Sequence, residues 1–321
     1  MNYGKSIKIA GNILMVLSFA FIIKKIIEYG VNFSKIVSFS TVIMSIISVF
    51  IYAVLVIALA IIFYFLLRIF SGNDISPQDS VFIYCKSNLY KYLPGNIFHY
   101  IGRNQIALNS EISHGEPVAA TIAEMLLLSI AALVTAIVFA GQHAIKWSLD
   151  NYTAHQVTIY SVFIVVVLSA GIILYRVLSK GKTTARNIIP AKTIQFSAAI
   201  KILMVYVIYF VINGVMFILL LHSMGGELSK GLYSPVIGMY TLSWMIGFVT
   251  PGAPAGLGIR EAIMSALLVG IVGAEFVISA VVIYRIITIL GDVVAFIMVH
   301  QLSRDGICQR FFPSLMSHTT G

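Results

Sequence analysis

Thr250-Pro251-Gly252-Ala253-Pro254-Ala255-Gly256-Leu257-Gly258-Ile259-Arg260-Glu261 interrupts an otherwise apolar stretch, Tyr233–Val272. Proline ends a helix and glycine lets the chain turn, so we expect two half-helices around a loop. A second apolar stretch, Val81–Leu108, is broken in the same way at Leu93-Pro94-Gly95. Irregular backbone at membrane depth is tolerated only where protein or a water-filled cavity satisfies its polar groups. Both stretches therefore predict re-entrant helical hairpins.

The composition of the whole chain indicates that its solvent is lipid. Of 321 residues, 59% are hydrophobic and 10% are charged, against about 25% charged in an ordinary globular protein. The mean hydropathy is +0.97. A soluble chain of this length could not bury so much apolar surface in one core. We expect a single membrane domain over residues 1–321.

Six uninterrupted apolar runs are long enough to cross about 30 Å of hydrocarbon at about 1.5 Å per residue. These runs are Ile9–Ile27, Phe39–Phe70, Pro117–Gly141, Val157–Leu178, Ile200–Leu221 and Phe276–His300. With the two hairpins they predict an all-α polytopic membrane protein of about six full spans.

The lysines and arginines of the loops indicate the orientation. With the N-terminus in the cytoplasm, fourteen basic residues, Lys91 and Arg103 among them, fall on the cytoplasmic side and five on the other. Arg260 and Arg285 lie within apolar sequence and complete the 21. Because cytoplasmic loops carry an excess of basic residues, both termini are predicted to be cytoplasmic, with 306–321 as a cytoplasmic tail.

In this orientation the two hairpins enter the membrane from opposite sides. Arg103 follows Pro94-Gly95 and Arg260 follows Pro251-Gly252, nine residues after the proline in both cases. The order span, span, hairpin, span then occurs twice, the second time inverted, in halves of about 1–145 and 146–305. Inverted repeats whose broken helices meet near the midplane are typical of transporters.

Each break favours an anion site. A helix that restarts inside the membrane has unpaired N–H groups and partial positive charge at its first turn, which attract phosphate or carboxylate. Packing of small residues would explain the glycines, but it would not explain an arginine at this depth. The predicted substrate-binding residues are Pro94, Gly95, His99, Arg103, Gly252, Pro254, Gly256, Gly258, Arg260 and Glu261.

Three further ionisable residues fall in the apolar runs: Glu124, Arg285 and Asp292. Charges at this depth cost at least about 2.5–3.5 kcal/mol each, so they should face the interior and find partners. Two interpretations stay open. These residues line or gate a transport path, or they form structural ion pairs, Arg285 with Asp292 or Glu124 with Arg103.

Several functions are disfavoured by the pattern. The basic residues are scattered in short loops and form no stripe with aromatic residues, which argues against nucleic-acid binding. Cys85 and Cys308 have no metal or disulfide spacing. The sequence also lacks H-E-x-x-H, G-x-S-x-G and a Walker A lysine loop, so we expect no metal and no cofactor.

Two motifs carry a family resemblance. Tyr92-Leu93-Pro94-Gly95-Asn96 with Gly102-Arg103, and Pro254-Ala255-Gly256-Leu257-Gly258-Ile259-Arg260-Glu261, resemble the signatures of the lysylphosphatidylglycerol synthase transmembrane, or flippase-like, family. Members usually have Pro-Gly-Gly where this chain has Pro254-Ala255-Gly256. The resemblance implies a bacterial or archaeal inner-membrane protein that translocates a lipid, often encoded with envelope-biosynthesis enzymes. Fused members carry a soluble aminoacyl-transferase domain after the membrane part; this chain ends soon after its last span, so synthase activity is not expected.

The leading hypothesis is a flippase for a phospholipid or a polyprenyl-linked glycan. Its partners would be that lipid, a second copy of the chain, or enzymes of envelope biogenesis. One alternative is a membrane-embedded transferase that modifies a lipid headgroup, with Glu124, Glu261 or His99 as the base. The other is a non-transporting partner that recruits envelope enzymes.

Overall fold

A computed structural model describes residues 38–71, 75–92, 98–108, 115–150, 194–250 and 254–304. The predicted spans Ile9–Ile27 and Val157–Leu178 and the predicted tail 306–321 lie outside the described residues. So do the predicted site residues Pro94, Gly95 and Gly252.

The described residues form eight α-helices and no strand. The helices are α1 (Phe39–Phe70), α2 (Pro77–Asn88), α3 (Phe98–Leu108), α4 (Gly115–Asp150), α5 (Phe196–Ser223), α6 (Tyr233–Val249), α7 (Ile259–Val272) and α8 (Ala274–Arg304). Short 3-10 turns occur at Leu89–Tyr92, Lys230–Leu232 and Pro254–Gly256.

Five segments within the described ranges are long and apolar enough to cross a membrane. They are Phe39–Phe70, Gly115–Gly141, Phe196–Ser223, Lys230–Val249 and Ala274–Leu302. Four of them contain spans that the sequence predicts, and α1 has the predicted bounds. The fifth is the first arm of the second broken stretch, which is longer than the half-helix that we expected. The chain is a multi-pass, all-helical membrane protein.

Both apolar stretches with a proline–glycine break are interrupted helices. The first consists of α2 with the turn Leu89–Tyr92, followed by α3. In the second, α6 ends at Val249 and α7 begins at Ile259. With 14 residues, α7 is about 21 Å long, shorter than the hydrocarbon layer of about 30 Å.

The helix order and packing repeat between the two halves. The starts of α5, α6, α7 and α8 follow those of α1, α2, α3 and α4 by 157, 156, 161 and 159 residues. The helix contacts also correspond: α1 packs on α8 as α5 packs on α4, and α2 packs on α8 as α6 packs on α4. The helices α1 and α5 also contact each other. The described part of the molecule therefore consists of two similar sets of four helices.

Small residues let these helices approach closely. A Cβ atom added to Gly238 of α6 would lie 2.5 Å from the backbone nitrogen of Ala140 in α4. One added to Gly291 of α8 would lie 2.5 Å from the ring of Tyr52 in α1. Such contacts are common between membrane helices, which gain stability from van der Waals packing rather than from the hydrophobic effect. The close packing surrounds a central polar cavity.

Candidate functional site

A central cavity of about 100 Å³ lies between the two broken stretches. Its walls come from all eight described helices and from the turns Leu89–Tyr92 and Pro254–Gly256. The turns Leu89–Tyr92 and Pro254–Gly256 contact each other, so the two interruptions lie side by side. This volume holds several water molecules, and polar side chains reach it from both halves.

Arg103 of α3 lines the central cavity and is neutralised by Glu124 of α4. Its Nη1 lies 2.5 Å from Oε2 of Glu124, and its Nε donates to Oγ of Ser87 over 3.3 Å. The Tyr84 hydroxyl donates to Oε1 of Glu124 over 2.7 Å. The guanidinium also lies 4.3 Å from the ring centre of Tyr84 and 4.5 Å from that of Phe63. Of the two ion pairs that the sequence suggests, the one between Glu124 and Arg103 is formed.

Asp292 of α8 joins the second half to the first break. Its carboxylate lies 2.7 Å from Nζ of Lys91 and accepts a hydrogen bond of 2.7 Å from Nδ2 of Asn88. The Tyr92 hydroxyl donates to Oδ2 of Asp292, the oxygen that Lys91 also contacts. The expected partner, Arg285, is replaced in this role by Lys91, which the sequence pattern had assigned to a cytoplasmic loop.

Lys91 and Arg103 thus belong to the core rather than to the orientation signal. The Lys91 side chain is 19% exposed and pairs with a fully buried carboxylate, and Arg103 is 2% exposed. Without these two residues, the fourteen basic residues on the predicted cytoplasmic side become twelve, against five on the other side. The direction of the asymmetry is unchanged.

Glu261 pairs with Arg285 and shapes the start of α7. Its Oε2 accepts a hydrogen bond of 2.5 Å from the backbone nitrogen of Gly258. Its Oε1 lies 3.5 Å from Nε of Arg285, an ion-pair distance without hydrogen-bond geometry. Nη2 of Arg285 donates to the carbonyl oxygen of Ala255 over 3.1 Å. A carboxylate of the chain itself therefore occupies part of the helix start where the sequence predicts a bound anion.

The turn before α7 requires the left-handed backbone region. Gly256 and Gly258 have φ angles of +70° and +83°, and Ala255 has φ +49° and ψ +25°. Glycine adopts such angles without a steric penalty, whereas alanine does not. The position at which this chain departs from the usual Pro-Gly-Gly is therefore a strained one. Pro254 opens this turn as the first residue of the 3-10 segment.

Arg260 differs from the other cations of the central cavity because it has no counterion. Across the ranges that the structure covers, no carboxylate lies within 4.0 Å of its guanidinium, and its buried Nε has no hydrogen-bond partner. The ring of Trp244 lies 5.0 Å from the guanidinium carbon. Two glycines make room for this side chain: an added Cβ would lie 2.3 Å from Arg260 Cγ at Gly247 and 2.7 Å from Arg260 Nε at Gly256.

The sequence missed most of the aromatic wall. Aromatic side chains from α1, α5 and α6 line the central cavity together with tyrosines from the first broken stretch: Tyr52, Tyr209, Tyr240, Trp244 and Phe248. One spacing could have pointed to Trp244. It precedes Arg260 by sixteen residues, as Ser87 precedes Arg103, and each contacts the arginine that follows it.

His99 also lines the central cavity. It is 9% exposed, and its Nδ1 has no hydrogen-bond partner in the described part of the chain. No group of three or more His, Cys, Asp or Glu side chains there could hold a metal ion.

Among the described residues, one cation of the central cavity has no carboxylate partner. Three carboxylates each pair with one cation, and Arg260 is the fourth cation. In a medium of low dielectric constant, an unpaired cation attracts an anion strongly. The arrangement is suited to binding an anionic group.

The sequence comparison agrees with the motif resemblance. A family model described as the lysylphosphatidylglycerol synthase TM region matches residues 105–295. The match includes the second signature with Arg260 and begins two residues after Arg103. A search of curated proteins finds no match.

Proposed function

Because the chain belongs to the lysylphosphatidylglycerol synthase transmembrane family, we propose that it is a translocase for lipids with a phosphate-bearing headgroup. The observation that carries the proposal is Arg260, a cation without a counterion in the wall of the central cavity. In this proposal the phosphate of the lipid pairs with Arg260 during transfer.

The physical task of such a protein is limited to the headgroup. A charged headgroup cannot enter hydrocarbon without a large free-energy cost, whereas the acyl or prenyl tail stays in the lipid layer throughout. A polar groove between helices needs only to shield the headgroup and to replace the water that it loses. The tyrosines that line the central cavity supply hydroxyl groups for this purpose.

We further propose that the two broken stretches are re-entrant hairpins of an inverted repeat, inserted from opposite sides of the membrane. The matching helix starts, the corresponding helix contacts and the equivalent positions of Ser87 and Trp244 support this arrangement. Rocking of one half against the other would expose the central cavity to each side in turn. The proposed location is the cytoplasmic membrane of a bacterium or archaeon, with both termini in the cytoplasm.

The central test is headgroup accessibility in proteoliposomes, with fluorescent phospholipids and a polyprenyl-linked sugar as substrates and a membrane-impermeant quencher. The wild-type protein should move at least one phosphate-bearing lipid between leaflets. Arg260→Ala should abolish that movement, and Arg260→Lys should retain part of it because the charge remains. Arg68→Ala is the matched control, since Arg68 is an exposed arginine of α1 outside the central cavity.

Full activity of Arg260→Ala in correctly inserted protein would refute the role of Arg260. Loss of activity in Arg68→Ala as well would mean that the assay reports insertion rather than binding.

A membrane transferase is the second candidate, and one observation favours it. His99 lines the central cavity with an unpartnered Nδ1, as a base could. The carboxylates of Glu124 and Glu261 are already engaged by cations. A transferase changes its lipid chemically, so mass spectrometry of lipid recovered from the same proteoliposomes, incubated with an aminoacyl or glycosyl donor, separates it from a transporter.

A further inference from the structure

The two arginines that follow the breaks differ in their pairing with carboxylates over the described residues. Arg103 pairs with Glu124 over 2.5 Å, whereas Arg260 has no carboxylate within ion-pair distance in the regions that the structure describes. Both guanidinium groups line the central cavity. One of these two cations, Arg103, is therefore already paired with a carboxylate of the protein itself.

Counted from the two arginines, the position in the second half that corresponds to Glu124 is Val281. It follows Arg260 by 21 residues, as Glu124 follows Arg103. Val281 is 7% exposed, and together with Arg260 it lines a smaller cavity of about 50 Å³. The second half therefore has a methyl-bearing side chain near the arginine where the first half has a carboxylate.

From this difference we propose that the central cavity accepts a headgroup with one negative charge, a phosphodiester, and that Glu124 sets this limit by filling the other anion position. The inference rests on the proposed translocase function and names its substrate class. A phosphodiester headgroup would neutralise Arg260 and leave the cavity balanced.

A more highly charged headgroup would not be balanced in the same way. A phosphomonoester carries about −1.5 to −2 charges at neutral pH, and a lipid diphosphate carries two phosphate groups. Their additional charge would face the carboxylate of Glu124 and would find no unpaired cation in the central cavity. An unpaired charge in a desolvated site is strongly unfavourable, so such lipids should bind more weakly.

The experiment measures binding and transport separately. Short-chain phosphatidylglycerol, which has one charge, and short-chain phosphatidate, a phosphomonoester, are added to purified protein in detergent, and the rise in Tm with concentration gives the apparent affinity. Tail-labelled forms of the same lipids are used in the proteoliposome assay. The wild type should prefer phosphatidylglycerol by about tenfold or more, which corresponds to about 1.4 kcal/mol.

Two variants shift the charge balance in opposite directions. Glu124→Gln frees Arg103, so the preference should move toward phosphatidate by about tenfold or more. Val281→Glu supplies Arg260 with an internal counterion, so binding of both lipids should be lost. Val281→Gln introduces a side chain of the same size as glutamate but without its charge, so this variant should still bind phosphatidylglycerol. Arg103→Gln/Glu124→Gln removes both charges of the pair and should keep the preference of the wild type. Glu116→Gln is the control on the same helix outside the cavity.

Each outcome decides one claim. Equal affinity of the wild type for both lipids, or an unchanged preference in folded Glu124→Gln, overturns the charge limit. If the Val281 variants fail to fold, Glu124→Gln and its double variant still decide. Selective binding without any transport supports the charge limit and refutes the translocase, whereas transport without selectivity supports the translocase and refutes the limit.

Discussion

Replacement of Glu124 by glutamine should destabilise the protein strongly, because it leaves a buried arginine without its counterion. Arg103 and Glu124 are 2% and 4% exposed and lie 2.5 Å apart. Removal of one partner of a buried ion pair costs about 3–5 kcal/mol, most of it from the charge left behind. Glutamine retains an oxygen that can accept the hydrogen bond from the Tyr84 hydroxyl, so the loss reports mainly on the charge.

The double variant Arg103→Gln/Glu124→Gln should be more stable than either single variant. It leaves no unpaired charge, and the remaining loss of about 1–2 kcal/mol comes from weaker hydrogen bonds to Ser87 and Tyr84. The free energies of the single changes should therefore not add. We expect a coupling energy of at least about 2 kcal/mol, within the range found for residues in direct contact.

Reversible unfolding in mixed micelles with increasing sodium dodecyl sulfate, followed by tryptophan fluorescence, measures these free energies. Glu116→Gln serves as the reference, since it changes the same residue type outside the central cavity. If both single variants stay within about 1 kcal/mol of the wild type and their effects add, the pair contributes little. The charge assignment of the central cavity would then be wrong as well.

Three substitutions at and beside the second break have different expected outcomes. Gly247→Ala places a Cβ atom 2.3 Å from Arg260 Cγ, on a helix that tolerates alanine. The Arg260 side chain should therefore be displaced, and transport in the proteoliposome assay should fall well below that of the wild type. The helix content, measured by circular dichroism, should be unchanged. Ala255→Gly relieves a φ angle of +49° and should change stability by less than about 1 kcal/mol, whereas Gly256→Ala should cost at least about 1–2 kcal/mol in the same unfolding assay.

The long helices could be predicted from sequence because lipid makes hydrophobicity and length sufficient criteria. The bounds of α1 are those expected, and α5 and α8 differ from the predicted runs by a few residues at each end. The interruption between α6 and α7 also followed from proline and glycine chemistry, whereas the predicted first break, Leu93-Pro94-Gly95, lies outside the described residues. The bounds of α6 also agree with the first arm of the second broken stretch, and the turn Lys230–Leu232 lengthens that apolar segment by three residues at its start.

Only one of the three ion pairs in the described part of the chain was among those expected from the sequence. Glu124 is only 21 residues from Arg103, and that pair was among the expected alternatives. Asp292 and Lys91 are about two hundred residues apart, and the lysine stands in a sequence that is typical of a cytoplasmic loop. Hydropathy and loop charge do not distinguish a lysine that snorkels to the interface from one that turns inward.

The proposed repeat makes the remaining difference between the two sets of helices informative. In two similar sets of helices, the residues at most equivalent positions can be explained by packing alone, because the helices of each half pack in a similar arrangement. A charge that is compensated in one half and uncompensated in the other is not required by packing, because an arginine that is partly buried without a counterion lowers stability. The retention of Arg260 beside Val281 therefore argues for a role in binding, and the preference between singly and doubly charged lipids is the measurement that this argument depends on.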